Sequence, residues 1–361
     1  MPYTLKDIAE KTGVSVSTVS RVLHDNSQKY KISEDTQAKV KAVAKSFGYR
    51  VNALARGLRT QKTNEIGVIV PDISNPFFSA VIKSVAGELR KKNYNFIVYD
   101  SDEDISIERS AIKSLLEKHV DGLVIASVGQ DFSHIQKIRE ANIPFVMVDR
   151  CFDDFDADSV SVDNVKGALL AVNHLIKSGH RRIAFIQGLP GTYANETRLE
   201  GYKSALTSAG ISIDENLIVG DDFRSLNGYL ETKLLLKLSN PPTAIFTAGD
   251  LIALGALEAC RENNISIPDD LSLITFDDPV FTTYLSPPLS AVEQPISKIA
   301  EMAIAMLYRR MKNPNDERRK VLLEPKLNVR GSVANISTLA FIPITNNNQT
   351  GKEQINKSGS A

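Results

Sequence analysis

Two groups of residues in the 361-residue chain have types and spacing that could do chemistry. The first is compressed into SVSTVSRVLH at 15–24, where Ser17, Thr18, Ser20, Arg21 and His24 alternate with apolar Val16, Val19, Val22 and Leu23. A guanidinium fork among short hydroxyls can pair with a base edge or with phosphate oxygens. The second group is spread along the chain: Asn75, Phe77 and Phe78 in PDISNPFF, Asp149 and Arg150, Arg198 in NETRLEGY, Phe223, and Asp277 with Asp278 in TFDDP. Charged groups serve ligand hydroxyls and aromatic faces serve apolar ring faces, so this set suits a small polar ligand. Tryptophan is absent, so stacking falls to Phe or Tyr. Asp250 in TAGD reads as a structural cap and is left out of the set.

Neither group reads as catalytic. The chain has no GxSxG elbow, no Walker A pattern, no GxGxxG after a strand and no HExxH. The five histidines (24, 119, 134, 174, 180) have no metal-ligand spacing. Asp153–Asp154 and Asp277–Asp278 are adjacent pairs, so on a strand their side chains face opposite ways. Cys151 and Cys260 are far apart and outside any CxxC, which reads as two buried thiols. No enzyme, no metal and no cofactor are expected.

Composition fits a multi-domain globular chain, with 42% hydrophobic and 24% charged residues. The longest apolar runs, such as IGVIV at 66–70, are far too short to span a bilayer. The start, MPYTLKDIAEKTG, carries no apolar leader, so a cytoplasmic protein is expected. Net charge is zero, but residues 1–63 hold twelve Lys or Arg against five Asp or Glu, a surplus of seven that the remainder cancels. A basic head on an acidic body points to a polyanion at one end.

Local patterns say how these residues are held. Leu5, Ile8, Ala9 and Thr12 follow helical spacing, Gly13 suits a left-handed cap, and Ser15 suits the start of a second helix. On that helix Val19, Val22 and Leu23 share one face and Ser17, Ser20, Arg21 and His24 the other. A third helix starts near Ser33, carries Val40, Val43, Ala44 and Phe47, and ends at Gly48. This is the helix-turn-helix plan, with its second helix in the major groove. From residue 66 β-branched runs (66–70, 96–100, 121–126, 145–149, 183–188, 243–248, 272–276) alternate with helical stretches, which predicts parallel sheets covered on both faces. Ligands of such sheets gather beyond the carboxyl ends of the strands.

The stretches TLKDIAEKTGVSVSTVSRVL at 4–23 and SEDTQAKVKAVAKSFGYRVNALARGLRT at 33–60 resemble the DNA-binding head of the LacI/GalR regulator family. Residues 64–333, including SGHRRIAFIQG and LEPKLNVRGS, resemble that family's periplasmic-binding-protein-like core. The resemblance implies an α/β chain: a helix-turn-helix head at 1–50, a hinge helix at 51–63, and a two-lobed core of parallel sheets at 64–333. Lobe one would be 64–163 plus 293–333, lobe two 164–292, with three crossovers; the polar stretch 334–361 reads as a disordered tail. It implies DNA contacts from Thr4, Val16, Ser17, Thr18, Ser20, Arg21 and His24, and minor-groove contacts from Asn52, Ala55, Arg56 and Leu58, the last as a wedge between base steps. His24 stands where the family usually has Asn. The effector would meet Asn75, Phe77, Phe78, Arg150, Arg198, Phe223 and Asp277, with Arg198 as the clamp. Gly249 departs from the usual Asn at that position. The implied function is a homodimeric repressor that binds a palindromic DNA operator under control of a sugar. A family regulator with a protein or non-sugar effector is the alternative, with Arg309 and Arg310 as a basic docking face; an exported sugar-binding protein is another.

Overall fold

The computed structural model describes residues 3–23, 27–49, 62–129, 132–152 and 154–337. His24, Asn52, Ala55, Arg56 and Leu58 lie outside them.

The head is three helices, α1 (Leu5–Thr12), α2 (Val16–Leu23) and α3 (Glu34–Ser46). Each begins on a side-chain cap. Thr4 and Asp7 form a reciprocal capping box on α1, Ser15 Oγ accepts from Thr18 N at 3.1 Å, and Ser33 accepts from Thr36 N. These bonds hold the Asp7 carboxyl below the usual carboxylate range, the Thr4 backbone N–H contributing most. Gly13 ends α1 at φ 72°, the left-handed region that a side chain with a β-carbon disfavours. Ile8, Ala9, Val19, Val22, Val40 and Ala44 form the buried centre, flanked by Val43 and Phe47.

The core contains two six-stranded sheets. Sheet one is wholly parallel. It contains β1 (Glu65–Val70), β2 (Asn95–Asp100), β3 (Gly122–Ile125), β4 (Phe145–Val148), β5 (Ser159–Val162) and β11 (Lys320–Leu323), in the order β11-β5-β4-β3-β1-β2. Helices α4 (Pro76–Lys91), α5 (Ile105–Glu117), α6 (Gln136–Glu140) and α11 (Ile296–Lys312) accompany it. Sheet two holds β6 (Ile183–Ile186), β7 (Ile218–Val219), β8 (Ala244–Thr247), β9 (Ser272–Phe276), β10 (Ser290–Glu293) and β12 (Lys326–Asn328), in the order β12-β10-β9-β8-β6-β7, with β12 antiparallel to β10. Its helices are α7 (Asn164–Lys177), α8 (Tyr193–Ser208), α9 (Ser225–Leu236) and α10 (Asp250–Glu262). Strands such as Ile183–Ile186 and Ala244–Thr247 are buried throughout because helices cover both faces.

The chain passes between the sheets at 162–164, 293–296 and 323–326. The last passage corrects the expected lobe boundary. Residues 326–333 belong with the second sheet, where Leu327 pairs with Val292 and Ser332 Oγ donates to Leu273 O at 2.6 Å. A three-residue strand after Pro325 gives too little pattern to reveal the switch. The expected tail also begins too early. Ile336 N donates to Ser178 O at 2.8 Å and Ala334 O receives His180 Nε2 at 3.2 Å, so 334–337 pack on lobe two. The rest of that tail, 338–361, lies outside the described residues.

Candidate DNA-binding surface and ligand cleft

On the head, α2 turns Val19 and Val22 inward and leaves Val16 and Ser17 exposed, with Thr18, Ser20 and Arg21 half-buried. Ser15 Oγ lies 2.8 Å from both Ser17 Oγ and Thr18 Oγ1, so these hydroxyls order the first turn of the helix. Thr4 is exposed and engaged in the capping box. The Arg21 guanidinium lies 3.9 Å from the centre of the Tyr30 ring. Tyr30, 45% exposed, was absent from the expected contacts, although an aromatic in the basic stretch NSQKYKIS was a visible signal. A stacked guanidinium keeps its fork ordered without using its donors.

The seven expected ligand residues, Asn75, Phe77, Phe78, Arg150, Arg198, Phe223 and Asp277, line one narrow cavity together with Asp149, Ala194, Gly249 and Asp250. Strand direction explains the convergence. Asp149–Arg150 follow β4 and Asp277 follows β9, both at carboxyl ends of parallel strands, and Asn75 and Asp250 stand at starts of the helices that follow β1 and β8. Asn75 Oδ1 caps α4 by accepting from Phe77 N at 2.9 Å. Phe77 and Phe78 meet edge to face with centroids 5.1 Å apart; both are buried in the lobe-one core as well as lining the cavity.

Arg198 is 3% exposed and sits at the centre. Its Nε donates to Asn164 Oδ1 at 2.9 Å and its Nη1 to Ala248 O at 2.6 Å, while its Cζ stacks 3.8 Å over the Phe276 ring. Asp149 of lobe one lies 4.0 Å from Nη2 and Asp277 of lobe two 3.8 Å from Nη1. Both aspartates adopt positive φ, 61° and 71°, a conformation costly for residues other than glycine and concentrated at functional sites. Burial pushes Asp277 up to about 6 against the pull of Arg198, and burial with the neighbouring Asp277 pushes Asp250 up to about 7. Asp149 is raised by burial, with Arg198 and Arg150 opposing.

Asp250, set aside as a cap, is therefore part of the cavity. Its Oδ1 does accept from Leu251 N at 2.8 Å, yet Oδ2 is buried without a partner. Asp149, read from the sequence among the polar groups at strand ends, lines the cavity as well, whereas Asn164, Glu103 and Gln294 were missed. Gln294 Nε2 donates to Asp277 Oδ1 at 2.6 Å, and Glu103 holds Arg150 through two bonds of 2.6 and 2.7 Å. Arg150 in turn lies 4.9 Å from the Phe223 ring of lobe two. At Gly249 a β-carbon would stand 3.6 Å from Phe223 Cδ1, so a side chain as long as Asn would begin against that ring.

At the cleft rim Arg224 of lobe two donates to Asp102 O and Oδ1 of lobe one at 3.0 and 3.1 Å. Both side chains are more than half exposed, so this bridge is worth at most about 1 kcal/mol. Replacing Arg224 by Gln should weaken effector binding by no more than about fivefold in a calorimetric titration; a larger loss would make the rim a principal clamp. Arg309 and Arg310, the docking face of the protein-effector alternative, are turned inward. Both bond Asp158, at 2.9 and 2.8 Å, and carbonyls of the 314–317 loop, because this loop needs its backbone acceptors satisfied.

Comparison with known proteins meets this geometry. Residues 4–52 match the model for bacterial regulatory proteins of the lacI family, and residues 172–333 match a periplasmic binding protein-like domain. The ribose operon repressor of Haemophilus influenzae is 35% identical over 330 residues, covering 91% of this chain and 98% of the relative. The lac repressor dimer bound to operator and the anti-inducer ONPF superposes with a TM-score of 0.81 at 26% identity, covering 92% of this chain and all of that one. A LacI-family regulator from Enterococcus faecium with bound ribose gives 0.68 at 31% identity, over 75% of this chain and 99% of its own. A basic helix-turn-helix head, a two-lobed core with a polar cleft, and likeness along nearly the whole length agree: this chain belongs to the lacI family of bacterial DNA-binding regulatory proteins.

Proposed function

We propose that the chain acts as a homodimeric repressor that binds a palindromic operator and is controlled by a small sugar held between the lobes. The observation that carries the effector reading is the cleft itself. Aromatic faces from Phe77, Phe78 and Phe223 line one cleft with Arg198 and its carboxylates, the pairing of apolar faces and charged groups that suits a sugar. A ribose operon repressor among the relatives and a ribose-bound neighbour support a pentose-sized ligand. Among the DNA contacts, Val16, Ser17 and Arg21 would face base edges, and Thr4, Thr18 and Ser20 the phosphates. Asn52, Ala55, Arg56 and Leu58 keep their proposed minor-groove role from the family likeness. Domain limits follow the same reading: head to residue 50, hinge to 63, core beyond. Absence of a helix long and apolar enough to cross a membrane, among the described residues, fits a cytoplasmic site of action.

Dimerisation is supported by α9. Gly228 and Gly255 bring α9 and α10 into backbone contact, since a β-carbon at either would lie within 2 Å of the other helix's carbonyl oxygens. That side of α9 is buried. The opposite side exposes Leu226, Leu230 and Leu234 at 63, 48 and 58%, a four-residue repeat of leucine on one face. A helix apolar on both sides needs a second cover. Leu230→Lys should yield a monomer by light scattering, with operator affinity reduced about 100-fold because the two heads no longer bind as one; an unchanged dimer would move the interface elsewhere.

The function is tested by a thermal-shift screen of the full-length protein against pentoses, hexoses, disaccharides and purines, followed by operator selection from a random duplex pool. A stabilising sugar that also changes duplex affinity supports the reading; stabilisation by a purine alone would replace it.

A further inference from the structure

Charge in the cleft does not balance. Arg150 is neutralised by Glu103, which accepts two bonds from it, and Asp278 by Arg330, whose Nη1 and Nη2 approach it at 2.8 and 2.7 Å. Arg198 is then the one cation, among the described lining residues, left for three buried carboxylates: Asp149, Asp250 and Asp277. Hydrogen bonding is equally lopsided. Of the four buried polar atoms around Arg198 without a partner, Asp149 Oδ1, Asp250 Oδ2 and Gln294 Oε1 are acceptors and Asn164 Nδ2 is a donor. The wall is short of protons to share and already over-supplied with negative charge.

Building on the sugar reading above, we infer that the cleft takes an uncharged polyhydroxyl ligand, rejects its phosphate ester, and releases a proton as it fills. In the empty cleft, burial and the neighbouring negative charge oppose full ionisation of Asp250 and Asp277 beside Asp149, so below about pH 7 this pair retains a proton. Hydroxyls of the ligand donate to the same oxygens. Each such bond favours the ionised carboxylate, and the held proton leaves to solvent. No covalent bond is made or broken in the ligand. A phosphate would instead place further negative charge against three carboxylates.

The raised values for Asp250 and Asp277 set the window. Their empty-cleft pKa lies above the ordinary carboxylate range, and ligand bonds bring it down. Protons are therefore released on binding below about pH 7, and affinity climbs with pH through about 5 to 7 before levelling. The ligand-free protein runs the other way. Groups with a raised folded pKa stabilise it most at acid pH and lose that contribution as pH rises through the same window.

The test uses full-length protein and D-ribose, xylose, arabinose, glucose and ribose 5-phosphate as probes. Calorimetry at about pH 6 in buffers of different ionisation enthalpy should show between about half a proton and one proton released for the neutral sugar that binds, and almost none at about pH 8. Affinity should fall by up to about tenfold for each pH unit as pH drops through the window. Asp250→Asn should flatten that dependence and, without any ligand, flatten the stability loss between about pH 5 and 7. Neutral-sugar binding with no proton exchange overturns this inference and leaves the sugar reading standing. Ribose 5-phosphate binding as tightly as ribose also overturns it. No binding by any neutral sugar overturns both.

Discussion

Replacing Arg198 by Met is expected to abolish the effector response while operator binding persists. The substitution removes bonds to Asn164 and Ala248 O and strips the neutralising charge from Asp149 and Asp277. A charged hydrogen bond to ligand is worth about 1.5–3 kcal/mol, and truncating its donor adds the penalty of the acceptors left bare. Effector affinity should fall at least about 100-fold, near 3 kcal/mol. The core should also lose stability, up to about 3–5 kcal/mol for a broken buried pair, though protonation of the aspartates limits the loss. Calorimetry with sugar and fluorescence anisotropy with operator check the two halves separately. A normal sugar response would remove Arg198 from the clamp. Loss of duplex binding together with loss of folded-state circular dichroism would mean that the arginine chiefly holds the lobes together.

The second large effect is expected at Arg21. In the unbound head its guanidinium rests 3.9 Å over Tyr30, on a half-buried stem, with its donors turned to no base. A bidentate contact to a base edge carries about 1–3 kcal/mol of discrimination, and a two-fold dimer places two copies on one palindrome. Arg21→Ala should therefore cost about 2–6 kcal/mol, roughly 30-fold to 10⁴-fold in operator affinity. Preference should relax at one symmetric base pair per half-site. A uniform loss across all duplex sequences, with a shallower salt dependence, would instead make Arg21 a phosphate contact. Tyr30→Ala is the companion: it removes the stack and keeps the fork, so only a few-fold loss is expected.

Legibility followed the strength of local signal. The three head helices were readable because each carries its own cap and stripe: Thr4 with Asp7, Gly13, Ser15 and Ser33. The seven apolar runs all became strands. Strands β5, β7, β10, β11 and β12 were not among them. Three of these, β7, β11 and β12, lie at sheet margins, and SVSV at β5 and SAVE at β10 mix polar with apolar residues although all of β5 and most of β10 are buried. The cleft was legible where chemistry was loud, as at Arg198 and the Phe77–Phe78 pair. It was opaque where a residue has a plausible local duty. Asp250 does cap its helix through Oδ1, and nothing local reveals that Oδ2 faces a cavity. Gln294 and Glu103 are tied to the cleft by bonds to Asp277 and Arg150, partners 17 and 47 positions away in sequence.

Side by side, the segments at 162–164, 293–296 and 323–326 tie one sheet's domain to the other three times over. Tethers this short forbid the halves from sliding or drifting apart, and leave a swing about the line through them as the soft direction. A molecule that fills the gap therefore acts first on that one angle. No truncation yields either half alone either, because helix α11 returns to the first domain after the second has been threaded.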